Sequence, residues 1–174
     1  MFESRPVSST KAAKRAAALA SLAVILLSST ASADADDRCH TLHGQLVDHA
    51  LTGPTCTSTL GLCTQGTFSG GLRGEFIGVA TSVIPTADTP TTAVLFATGD
   101  VVIHARIGDR EGDLTVKDAG LFHTSGKHEF SDLMSIISGT RSLSGISGII
   151  RVNGNSDPAT GTDQGEYVAA VCIP

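Results

Sequence analysis

The residue best placed for chemistry is an aspartate on an apolar strand face. Across Asp113–Phe122 the chain alternates, with Leu114, Val116, Asp118, Gly120 and Phe122 on one face. Asp113, Thr115, Lys117, Ala119 and Leu121 take the other. If the first face looks inward, Asp118 is an interior carboxylate. Burial raises the pKa of such a group unless a donor compensates, which suits acid–base work. The competing reading is an aspartate bonded to backbone amides in a turn. Tyr167 alternates with Ala169, Val171 and Ile173, so its hydroxyl is a second polar handle, or a core hydroxyl with its own partner. Phe76, Phe96 and Val116 would supply the apolar lining around Asp118 or Tyr167.

Other candidate constellations are weaker. Cys39, His40 and His43, with His49 further on, are metal-ligand types, but no second Cys pair at zinc spacing accompanies them, and no metal is expected. Asn153, Asn155 and Asp157 have calcium-loop spacing, yet Pro158 stands where the loop needs Gly and Gln164 where it needs Glu. His104 alternates with Val102 and Arg106 and reads as solvent-facing, and His123 and His128 flank a turn at Gly126. No nucleophile elbow, zincin helix or P-loop occurs, and no cofactor is expected.

Residues 1–33 read as a secretory signal peptide. Arg5, Lys11, Lys14 and Arg15 precede an apolar run of 12 residues, Ala16–Leu27, and Ala31-Ser32-Ala33 fits the cleavage pattern. That run is shorter than the ~20 residues a membrane span needs. The expectation is a secreted, extracytoplasmic domain over 34–174, not membrane-bound after cleavage. Four of the 12 basic residues and one of the 17 acidic residues lie in the leader, leaving 8 against 16, a net of −8. An acidic chain of this kind argues against nucleic acid as a partner.

Cys39, Cys56, Cys63 and Cys172 all follow the leader. In an oxidising compartment they read as two disulfides, for which three connectivities exist. Cys56 and Cys63 flank a short turn-like segment and can meet locally, which leaves Cys39 with Cys172.

Positioning these residues falls to strands. After residue 36 no sustained helical period appears, and short β-branched runs alternate with Gly, Asp, Asn and Pro. Strands are predicted over 43–51, 68–84 (long, or a bent pair), 93–107, 113–122, 128–138, 143–152 and 165–173. A disulfide-braced loop is predicted over 52–66, a second loop over 85–92, and a bulge at Gly99-Asp100. Regular spacing of seven or eight strands means a sandwich or a barrel.

Gly66-Thr67-Phe68-Ser69-Gly70-Gly71-Leu72-Arg73-Gly74-Glu75-Phe76 and Ser138-Gly139-Thr140-Arg141-Ser142-Leu143-Ser144-Gly145-Ile146-Ser147-Gly148 carry a resemblance. The second stretch resembles a glycine-rich hairpin of the allene oxide cyclase and dirigent barrel superfamily, with Arg141 where that hairpin has its second Gly. The resemblance implies an all-β, eight-stranded antiparallel barrel with an internal cavity, often assembled into homo-oligomers. It also implies a small hydrophobic ligand and, in characterised members, a steered cyclisation or coupling. No flanking motif fixes the register, so no catalytic residue carries over and catalysis is left open. The alternative is a non-catalytic extracellular interaction or structural protein whose barrel is filled by its own side chains, which low aromatic content (4%) favours.

Overall fold

Period-two alternation of β-branched and small residues builds every regular element of the barrel wall. The computed structural model describes residues 38–86 and 93–174, so the expected leader and cleavage site, and most of the loop predicted over 85–92, lie outside the described residues. The strands are β1 (Cys39–Leu51), β2 (Cys63–Gly70), β3 (Leu72–Pro85), β4 (Val94–Ile107), β5 (Arg110–His123), β6 (Glu129–Gly139), β7 (Ser147–Asp157) and β8 (Thr162–Cys172). Each pairs antiparallel with the next, and β8 pairs with β1 to close the barrel.

Several boundaries differ from the sequence reading. The segment over 68–84 is a bent pair: the chain turns at Gly70-Gly71, where Gly70 has φ 108°. Its first strand starts at Cys63, inside the predicted loop, because the disulfide to Cys56 ends the loop there. No bulge lies at Gly99-Asp100. The irregularity is on the partner strand, between Ala80 and Ser82, where the Thr81 hydroxyl donates to the Thr98 carbonyl at 3.1 Å. Strand β7 starts at Ser147, not Leu143, since Arg141–Leu143 forms a single 3-10 turn that buries Leu143. Arg141 takes a left-handed conformation there (φ 52°), at the position where the resembled hairpin has glycine.

Both disulfides join the expected partners, Cys39 with Cys172 and Cys56 with Cys63. Cys39 and Cys172 stand opposite one another in the β1–β8 ladder, so the longer link crosses the closing seam. Nearby, at the same end of the barrel, Leu143, Ile146, Ile107, Ile136, Val171 and Ile173 pack the interior. Higher up, Leu46, Phe68, Leu72, Ile103, Leu114, Ile150 and Tyr167 continue the plug.

Candidate functional site

The opposite end is hollow. A cavity of about 230 Å³ opens there, with apolar walls from Phe76, Val101, Phe122, Phe130 and Met134. The Phe122 and Phe130 rings stack with centroids 6.0 Å apart. Set into this apolar surface are four carboxylates, Asp48 on β1, Asp118 on β5, Asp132 on β6 and Asp163 on β8.

Strand parity places each of them. Asp48 follows Leu46 on the inner face, and Asp132 lies between the buried Phe130 and Met134. Asp118 shares a face with Leu114 and Val116, and that face of β5 is the inner one. Asp48 and Asp163 face each other across the β1–β8 ladder. Space for two of these side chains comes from glycine. A Cβ on Gly120 would run into the Asp132 carboxylate, and one on Gly66 into the Asp48 side chain.

The environment resists ionisation. One oxygen each of Asp48, Asp118 and Asp132 is buried without a hydrogen-bond partner. Burial is the first cause of the rise in all three. It lifts Asp118 to about 6, partly offset by the Ala119 backbone N–H donated to its carboxylate. Asp48 rises to about 7, helped by the neighbouring Asp163 and then by Asp118. Asp132 rises to about 8, with Asp118, Asp48 and Asp163 adding repulsion. Near neutral pH the cluster therefore retains protons, shared among interacting sites. Such a group can give up or take a proton without a large change in pH. No group of His, Cys, Asp and Glu side chains among the described residues converges to hold a metal ion.

The residues expected at the site divide. Phe76 and Asp118 line the cavity. Val116 is fully buried in the wall but does not reach the cavity lining. Phe96 is on the outside: it pairs with Leu121 and Ile84, both exposed, and shares the outer face of β4 with His104. Tyr167 lies in the plug, 1% exposed, with its ring edge-on to Phe68 at 5.4 Å. Its hydroxyl donates to the Leu72 carbonyl and accepts the Leu72 N–H, each at 2.8 Å, so the handle is already occupied. Tyr167→Phe is expected to cost about 2–3 kcal/mol, by leaving both Leu72 groups buried and unpaired. Thermal melts should show that loss.

Sequence reasoning missed Asp48, Asp132 and Asp163. The first two carried the same signal as Asp118, an acid in register with apolar residues two positions away. His104 is outside as expected, with Nδ1 2.6 Å from the Asp113 carboxylate. A larger groove, about 860 Å³, crosses the outer wall over β1, β7 and β8, lined by polar residues such as Gln45, Asn153, Asn155 and Gln164.

Fold and site together define a closed, sequentially wound antiparallel barrel, plugged at the end that carries the seam disulfide and hollow and acidic at the other. No protein-family model, curated protein or solved structure matches this chain.

Proposed function

We propose that this is an exported barrel that binds one small, largely apolar molecule in its hollow end. The observation that carries this reading is the concave apolar surface of Phe76, Val101, Phe122, Phe130 and Met134, which the barrel's own side chains do not fill. Ligand sites combine such walls with a few convergent polar groups, and here those groups are carboxylates. The volume sets the size: an apolar cavity of about 150 Å³ holds benzene, so about 230 Å³ suits a ligand of roughly eight to ten non-hydrogen atoms. Carboxyls that titrate near neutrality give such a molecule a proton donor and acceptor, the chemistry a steered cyclisation needs. Export is supported by the leader-like N-terminus and by both disulfides.

Toluene tests the cavity directly. A ligand that binds only the folded state stabilises it, by about 2.7 kcal/mol at a hundred times its Kd. Saturating toluene should raise the melting temperature and give methyl contacts to Phe76 and Met134 in nuclear Overhauser spectra. An unchanged melt with no such contacts excludes the reading.

A second reading is favoured by the outer wall. Ile77, Ile84, Val102, Leu121, Leu133, Ile137, Ile149 and Val168 are exposed there, more apolar surface than scattered side chains require. Under it the barrel is a scaffold for contacts with another protein surface.

A further inference from the structure

Within the reading of the hollow end as a ligand site, the four acids select among ligands. We propose that the ligand is a small amphiphilic organic cation, such as an alkylamine, whose ammonium group sits among Asp48, Asp118, Asp132 and Asp163 while its apolar part lies on Phe76, Phe122, Phe130 and Met134. This deepens the reading above and rests on it.

Three observations carry it. First, the charge is one-sided. No Lys, Arg or His among the described residues lines the cavity. The strands without an interior acid that reach the cavity line it with neutral groups: Thr64 from β2, Phe76 and Gly78 from β3, and Gly99 and Val101 from β4. A carboxylate ligand would add repulsion to a site already crowded with acids, and a neutral one would offer their unpaired oxygens no charged donor.

Second, acceptor capacity is left over. Asp48 is only 9% exposed, lines the cavity and has an oxygen with no partner. Asp118 and Asp132 each add another such oxygen. An ammonium group carries three donors and no acceptor, so it complements this set, and charge-assisted bonds of that kind are the strong ones.

Third, the surroundings favour an organic cation over a metal ion. The acids stand on separate strands, and among the described residues no group of three converges to coordinate one. The aromatic rings of Phe122 and Phe130 add faces that attract a cation.

Occupation is an exchange. An alkylammonium ion enters, the carboxyls it contacts ionise, and the protons they release pass to solvent. Binding therefore strengthens as pH rises from 5 to 8, over which range the amine itself stays charged.

The experiment is calorimetric titration of the full chain with octylamine, octanol and octanoate at pH 5 and pH 8. Octylamine should bind at least about tenfold more tightly than octanol at pH 8, with the advantage shrinking at pH 5. Octanoate should bind weakest at pH 8. Repeating the octylamine titration at pH 7 in buffers of different ionisation enthalpy should show net proton release. Asp132→Asn should weaken octylamine about tenfold and octanol far less, so that the ratio between the two falls, and Asp118→Asn serves the same purpose should the first variant not fold. Equal binding of octanol and octylamine overturns the cation assignment and leaves the apolar site standing. So does octylamine binding that neither depends on pH nor releases protons, or calcium that displaces octylamine stoichiometrically. Failure of all three ligands removes the cavity reading as well.

Discussion

Asp132→Asn should make the ligand-free barrel more stable at pH 8, not less. The sign follows from proton counting. Asp48, Asp118 and Asp132 rise from 3.8 to about 7, 6 and 8 on folding. Below 3.8 the three acids are protonated in folded and unfolded chains alike, and their folded environment carries no ionisation cost. As pH climbs toward 8 the unfolded chain has released protons that the folded chain still holds. Stability therefore falls with rising pH across that window. Asparagine keeps the shape and cannot ionise. At pH 8 the substitution should gain on the order of 3 kcal/mol, since each unit of pKa is worth about 1.4 kcal/mol and water admitted to the cavity takes part of it. Urea melts at pH 5 and pH 8 measure this: the wild-type midpoint should drop between them and the variant's should change less. A wild-type barrel that gains stability toward pH 8 contradicts the account of the cluster.

Opening the seam should cost most. Cys39 and Cys172 are 133 residues apart, and closing a loop of that length in the unfolded chain is worth about 4–5 kcal/mol in the chain-entropy view. Small domains have roughly 5–15 kcal/mol of stability in total. Cys39→Ser with Cys172→Ser is thus expected to bring the barrel close to unfolding at 37 °C. Cys56→Ser with Cys63→Ser removes a link across 7 residues, for which the same reasoning gives about 2.5 kcal/mol. Denaturant melts of the two double variants rank them. If the short link proves the costlier, the seam is not the weak line of this fold.

Most of the barrel was legible in the sequence because its alternation is regular. The two faces of β5 and of β8 were separable from Leu114, Val116 and Asp118 and from Tyr167, Ala169 and Val171, and the closed barrel turns those faces inward. The same parity would have corrected Phe96. Its even-numbered neighbours on β4, Val102, His104 and Arg106, all face out. What alternation does not carry is height along the barrel. Tyr167 and Asp118 are both interior, yet one is locked in the plug and the other lines the cavity. Which end is solid depends on strand stagger, which brings Tyr167 against Phe68 and Leu72. The clustering of Asp48 with Asp163 depends on the β1–β8 register, a pairing between the two ends of the chain that no local pattern specifies.

The winding order also bears on how the chain finds its shape. Seven of the eight ladders join strands consecutive along the chain, so each can zip outward from its own connection. The eighth joins the first strand to the last, and almost the entire search for distant partners is concentrated in it. A chain oxidised at Cys39 and Cys172 before it folds starts as a ring in which that search has already been made. Its reduced counterpart has to assemble a nearly complete open sheet, with two unpaired edges exposed to other chains, before the last ladder can form. The covalent tie thus governs the order of events and the chance of misassembly as well as the final balance.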